Sequence, residues 1–167
     1  MEVPLILTLA LEQNAFQFFN ALRKIYYPAQ ENKTEAHLTL FRLIPHEPSL
    51  IRNVAQAAQG QNCIKLLVKE PVLTSTGVAY AIESPELVQL HQKFQQSWEP
   101  LLIPQDKEEL WAHITIQSGV SHDEAQELLQ FLVSNFCAFE ILATGLQLWE
   151  SQGGNWRLFR EFPFIQD

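Results

Sequence analysis

The sequence predicts an α+β protein made of two related lobes, and three observations predict it. The order helix, strand, helix, strand, strand occurs twice along the chain. The spacing repeats too: His37 precedes Cys63 by 26 residues and His113 precedes Ala138 by 25, each interval running from a strand, over a helix, to the next strand. No low-complexity linker separates the halves, so they should pack as one unit. We expect a single domain over residues 1–167, duplicated about a pseudo-twofold axis, with lobe 1 at about 1–83, lobe 2 at about 84–167 and strands free to exchange between them.

Each element has a local reason. Pro4–Leu11 is short, apolar and bounded by polar residues, which suits a buried strand. Ala15, Phe18, Phe19, Leu22 and Tyr26 then fall on one helical face, and Pro28 ends that helix. Ala36–Leu43 alternates and is rich in strand formers. Pro48 opens a helix to about Gln59, with Gly60 as its stop. Cys63–Lys69 and Val78–Glu83 read as strands around a turn at Ser75–Gly77. In the second half, Ser84-Pro85 caps and starts a helix with Leu87, Leu90, His91 and Phe94 inward. Ala112–Gln117 is a strand. Ser121 and Glu124 form a capping box for a helix whose inner face is Ala125, Leu128, Leu129, Leu132 and Phe136. Phe139–Trp149 and Trp156–Phe164 are strands joined through Gly153-Gly154.

Composition narrows the function. Apolar residues make up 47% and charged residues 18% of 167, which excludes disorder, collagen and coiled coil. At this length roughly 70% of the unfolded chain's surface is buried on folding, so neither a disulfide nor a metal is needed to hold the fold. Cys63 and Cys137 stand apart, outside any C-x-x-C motif, and the cytoplasm is the expected compartment. No apolar run approaches the ~18 residues of a membrane span, and the N-terminal segment lacks the basic flank of a signal peptide. The net charge of -8 falls entirely on residues 84–167; residues 1–83 balance at zero. Such a chain repels a long polyanion, so a long nucleic acid is not expected as a partner. A small nucleotide or a short RNA end is.

Two segments carry chemistry: His37-Leu38-Thr39-Leu40 and His113-Ile114-Thr115-Ile116. Side chains alternate along a strand, so each histidine and its threonine share one face while the apolar residues face the core. With 5 His and 7 Thr in the chain, about 0.2 His-x-Thr triplets are expected by chance, and these two also occupy matching places in the repeat. Related lobes would bring the two strands together across a cleft holding two imidazoles and two hydroxyls. A neutral imidazole can take a proton and a protonated one can give it, and hydroxyls can hold phosphate oxygens. This chemistry calls for no metal and no cofactor. Gln117 should share the face of His113. Arg42, five residues past His37, should point to the opposite face. Tyr26, Tyr27 and Lys33 precede the first motif and could line a pocket for a base. Trp156 is either a stacking surface or the anchor of its hairpin. His91 reads as a packed helix residue.

With AHLTLFRLIP at 36–45 and AHITIQSGV at 112–120, the chain resembles the 2H phosphoesterases, in particular the bacterial group similar to 2′-5′ RNA ligases and cyclic phosphodiesterases. ILTLAL at 6–11, GVAYAIESPEL at 77–87 and FREFPF at 159–164 add to the likeness, which covers essentially the whole chain. The resemblance implies a bilobal fold with two antiparallel sheets flanking a central cleft and helices outside. It implies metal-independent chemistry on 2′,3′-cyclic phosphate or 2′-5′ phosphodiester substrates. It makes His37 and His113 the acid–base pair, His113 the base in hydrolysis, and Thr39 and Thr115 the phosphate holders. Gln117-Ser118-Gly119 stands where relatives that work on RNA carry a basic residue. A monomer is expected. The rival reading is a binding module that uses the same cleft without turnover.

Overall fold

The N-terminal apolar run forms β1 (Leu5–Leu11), buried almost throughout because it lies between two other strands and is covered on both faces. The computed structural model describes residues 2–166. After β1 come α1 (Gln13–Tyr26), β2 (Leu38–Ile44), α2 (Pro48–Gln59), β3 (Ile64–Leu73) and β4 (Val78–Glu83). The chain continues through α3 (Pro85–Trp98), two short 3₁₀ turns (Glu99–Leu101 and Pro104–Lys107), β5 (His113–Gln117), α4 (His122–Ser134), β6 (Phe139–Gln152) and β7 (Asn155–Pro163). Among the described residues no helix is long and apolar enough to cross a membrane.

The strands form one antiparallel sheet in the order β2-β1-β6-β3-β4-β5, with β7 added on β6. The two sheets expected from the sequence are therefore two arms of one sheet, and β6 is the reason. It runs 14 residues, past the predicted end at Trp149. Phe139–Ala143 pairs with β3, Gly145–Gln152 with β7, and the opposite edge with β1. Where β6 changes partner, a Cβ on Gly145 would press on the Phe162 carbonyl, so only glycine lets the strands approach. The order β2-β1-β6 at one end mirrors β5-β4-β3 at the other. The sheet curls until its two edge strands, β2 and β5, approach each other. These are the strands that carry His-x-Thr.

Helices cover the outer face. α1 lies along β5, α4 along β3 and β4, and α2 against β6 and β7. α3 seats Phe94 and Trp98 on Phe41 of β2, with ring centroids 6.2 and 5.3 Å away; each such aromatic pair adds about 0.5–1.5 kcal/mol beyond its buried area. The caps form as the sequence predicts: Ser84 accepts from the Leu87 amide and Ser121 from the Glu124 amide, both at 3.2 Å. Each contributes about 1 kcal/mol.

Two expectations are corrected. β3 continues through Pro71 to Leu73, because beyond Val68 it pairs with β4 alone and the missing proline N–H costs no ladder bond. In α1 the buried positions are Ala15, Phe19 and Arg23, while Phe18 is exposed. Arg23 thus shares the buried face with Phe19, and its guanidinium reaches β5.

Candidate active site

His37 enters β2 and His113 begins β5, and the same local geometry sets both rings. His37 Nδ1 lies 2.7 Å from the Glu35 carbonyl oxygen, and His113 Nδ1 lies 2.7 Å from the Trp111 carbonyl oxygen. A carbonyl only accepts, so the proton of each neutral ring sits on Nδ1 and the Nε2 lone pair is free. Each ring also has a tryptophan: Trp156 lies 4.6 Å from His37, tilted by 49°, and Trp111 stacks on His113 at 3.8 Å. Both histidines open into one cavity of about 420 Å³, whose walls include Thr39, Arg42, Trp111 and Trp156.

Both rings lose proton affinity. His37 is pushed down to about 4, mainly by burial, and further by the Arg23 and His113 charges, against a raising effect of its bond to Glu35. His113 also falls below the usual imidazole value, again mainly by burial, with Arg42 acting in the same direction and the Trp111 carbonyl opposing.

The flanking residues depart from strict alternation for one shared reason. β2 slips by one residue against β1 between Thr39 and Phe41, and β5 slips by one against β4 between Thr115 and Gln117. These are β-bulges at equivalent places, and a one-residue slip inverts every side chain beyond it. Arg42 therefore lines the cavity instead of pointing away from it. Gln117, expected beside His113, turns inward and is buried, and its Oε1 has no hydrogen-bond partner among the described residues. A Cβ on Gly77 would collide with the Gln117 carbonyl, so the β5 bulge requires glycine opposite it. β2 slips a second time against β1 between Phe41 and Ile44, and there the Asp106 carboxylate accepts from the Arg42 amide at 3.0 Å and the Leu43 amide at 3.1 Å. Those amides sit on the open edge of the sheet and would otherwise be exposed.

Thr39 lines the cavity, whereas Thr115 does not, although it is half-buried on the His113 side of β5. Thr115 offers its carbonyl to Arg23 Nη1 at 2.7 Å. Arg23 Nη2 also donates to the Thr34 carbonyl at 2.8 Å and to Asn32 Oδ1 at 3.0 Å. One buried cation thus ties β5 to the segment leading into β2. Tyr27, expected near the cleft, instead lies under this guanidinium, 4.4 Å from ring centroid to Cζ, and is outside the cavity walls. Its proximity to Arg23 outweighs any position at the cleft because a buried cation gains from an aromatic face. His91 is packed as expected, stacked on Phe41 at 4.5 Å with Nε2 3.1 Å from the Leu40 carbonyl.

Sequence reasoning missed Trp111 and Arg23. Trp111 lies two positions before His113, so strand periodicity extended backwards would have found it. Arg23 lies four residues beyond Phe19 on the apolar stripe, a charged residue at a core position.

A curled antiparallel sheet whose two edges bring histidines into one cavity has the architecture of a phosphoesterase fold, and comparison with known proteins assigns it. A family model for the 2′-5′ RNA ligase superfamily matches residues 11–155. The chain belongs to that superfamily. The chain is similar in structure to the protein TT0787 of Thermus thermophilus, with a TM-score of 0.68 at 13% identity over 98% of this chain and 99% of that one. It is similar to a phosphoesterase, with a TM-score of 0.63 at 14% identity over 99% and 100%. It is also similar to Escherichia coli LigT complexed with 3′-AMP, with a TM-score of 0.59 at 14% identity over 98% and 99%. At these identities the likeness is one of fold. Comparison with curated protein sequences finds no match.

Proposed function

We propose that the protein is a metal-independent phosphodiesterase acting on 2′,3′-cyclic phosphates or 2′-5′ phosphodiesters by paired-histidine acid–base catalysis. The observation that carries this reading is the pair of imidazoles in one cavity, each with Nδ1 committed to a carbonyl and Nε2 free. Membership of the 2′-5′ RNA ligase superfamily supports a phosphoesterase-type activity, and the complex of LigT with 3′-AMP supports a nucleotide ligand.

For a cyclic phosphate the step balances with these groups alone. A water attacks phosphorus and gives its proton to the neutral imidazole. The bond from phosphorus to one ribose oxygen breaks, and that oxygen takes a proton from the protonated imidazole. The product is a ribose monophosphate. Thr39 Oγ1 and the Arg42 guanidinium are the cavity groups suited to stabilise charge on the non-bridging oxygens.

The electrostatics favour roles opposite to those expected from the sequence. His37, at about 4, is neutral across the working range and fits the base. His113, less strongly lowered, fits the acid. With this assignment the ring held neutral down to about 4 is the one asked to accept a proton. The test is turnover of 2′,3′-cyclic mononucleotides and 2′-5′ dinucleotides in the presence of a chelator. Turnover that His37→Ala and His113→Ala each abolish supports the reading. Full activity in either variant ends it, and tight binding without turnover on any phosphodiester makes the protein a binding module instead.

A further inference from the structure

The two imidazoles are gripped differently. At His37 the carbonyl that fixes Nδ1 comes from Glu35, and the neighbouring indole comes from Trp156 on β7, tilted by 49°. At His113 one residue supplies both. The Trp111 carbonyl oxygen lies 2.7 Å from Nδ1, and the Trp111 indole stacks on the ring with centroids 3.8 Å and planes 21° apart. Edge and face of this imidazole are thus set by a single residue two positions before it.

Trp111 can act as a fixed plate because the chain is anchored on both sides of it. Gln95 Nε2, on α3, donates to the Asp106 carbonyl at 3.0 Å and the Glu108 carbonyl at 2.7 Å, and the Ala112 carbonyl accepts from the Ile82 amide at 3.0 Å. The indole is 51% exposed, so its contribution to the core is small. An aromatic face within about 6 Å of a cation attracts it. The stacked indole therefore favours imidazolium over imidazole, against the burial and the Arg42 charge that oppose it. The other titratable or charged groups at the cavity are His37, His91 of α3, and Asp106, Glu108 and Glu109 of the segment before β5. Asp106 is engaged with the amides of β2, β4 places Ala81 opposite His113, and Arg23 of α1 meets β5 at the Thr115 carbonyl.

We propose that Trp111 is a positioning residue for His113, holding the ring in place and favouring the protonated form that gives its proton to the departing oxygen. The inference deepens the phosphodiesterase reading above and rests on it for the proton-donating step. Trp111 acts through His113, not on the substrate. His37, whose indole neighbour is tilted, gains less from its aromatic contact. That suits a ring that stays neutral in order to accept a proton.

The test compares Trp111→Leu, which keeps an apolar cover on the ring but removes the π face, with Trp111→Phe, which keeps a face. The side chain is half exposed, so neither substitution empties the core. NMR titration of the ring Cε1 protons in the full chain should place the His113 midpoint about 0.5–1 pH unit lower in Trp111→Leu than in the parent protein. Trp111→Phe should fall between them, and His37 should hardly move. With a 2′,3′-cyclic mononucleotide at a pH above that midpoint, kcat should fall about three- to tenfold in Trp111→Leu, the loss of protonated His113 that this shift implies, with KM within about twofold. The falling limb of the pH profile should move to lower pH by the same amount, and Trp111→Phe should recover most of kcat. A His113 midpoint that is unchanged or higher in Trp111→Leu overturns the proposal, and so does identical behaviour of the two variants. A raised KM at unchanged kcat also overturns it, because Trp111 then serves the substrate directly. If the parent protein turns over no phosphodiester, the phosphodiesterase reading falls by itself, and the titration still decides whether Trp111 favours the charged ring.

Discussion

β2 and β5 start from nearly the same four residues and reach different surroundings. In both, the histidine Nδ1 bonds the carbonyl two residues back, the threonine follows two residues on, and a bulge comes directly after. In both, the exposed edge is tied down from another element: α1 sends Arg23 to β5, and α3 sends His91 to β2. Local sequence therefore yields the same tautomer twice. The differences come from what the rest of the fold brings to each strand. Past its bulge β2 turns Arg42 into the cavity, whereas β5 buries Gln117. The Arg23 charge acts on His37 and the Arg42 charge on His113. A repeated motif sets position and tautomer, and the burial that tertiary packing imposes, more than the cation it places beside each ring, lowers the proton affinity of both.

The comparison can be broken most directly at the rings. His37→Ala and His113→Ala should each lower kcat by about 10²–10⁴ with little change in melting temperature, as expected for loss of one general acid or base. A large loss in only one variant would mean that the two strands are not equal partners. At the threonines the halves should differ. Thr39→Val, inside the cavity, should lower kcat/KM by about tenfold, the effect of one hydrogen bond to a charged oxygen. Thr115→Val, outside it, should change kcat/KM by less than about threefold. Equal losses would erase the asymmetry inferred from the cavity walls.

Proton affinity sharpens the contrast. If His37 is the base and His113 the acid, kcat/KM is bell-shaped with an acidic optimum. Its rising limb lies near 4, where His37 loses its proton, and its falling limb lies below 6.5, where His113 loses its own. Titration of the ring Cε1 protons by NMR assigns the two limbs. Arg23→Gln should move the His37 midpoint up and leave that of His113 nearly unchanged, while Arg42→Gln should do the reverse. Arg23→Gln should also cost about 1–3 kcal/mol of stability, because buried carbonyls on two segments lose their donor. The last contrast concerns the bulges. Gly77→Ala should lower stability by about 1–3 kcal/mol through overpacking against the Gln117 carbonyl, read as a fall in melting temperature.

Much of this site was legible in the sequence, and the residues that were not share a cause. His37 and His113 could be paired because each lies in a short alternating strand at the same distance before its next strand. Ser84, Ser121, Pro48 and Pro85 marked helix starts because capping is satisfied within three residues. Arg42 and Gln117 were read on the wrong faces because alternation is reliable only up to a bulge. Each irregularity is accommodated by something remote in the chain: Asp106 takes the amides just past the β2 bulge, and Gly77 leaves room for that of β5. Thr115 was assigned from the motif and Tyr27 from its place before the first motif; the Thr115 main-chain carbonyl and the Tyr27 ring both meet Arg23, which no local pattern connects to them.

By itself, the sequence determined the strands and helices, the caps, and the presentation of two His-x-Thr motifs on equivalent strands. All of these depend on periodicities of two and 3.6 residues and on hydrogen bonds closed within a turn. The tertiary structure alone decided that β6 joins both arms, that the edges meet, and that Arg23, Arg42, Trp111 and Trp156 surround the rings. Those outcomes rest on contacts between residues as far apart as 92 positions for Arg23 with Thr115 and 141 for Trp149 with Thr8. A short stretch of chain carries no record of which distant charge or ring will be packed beside it.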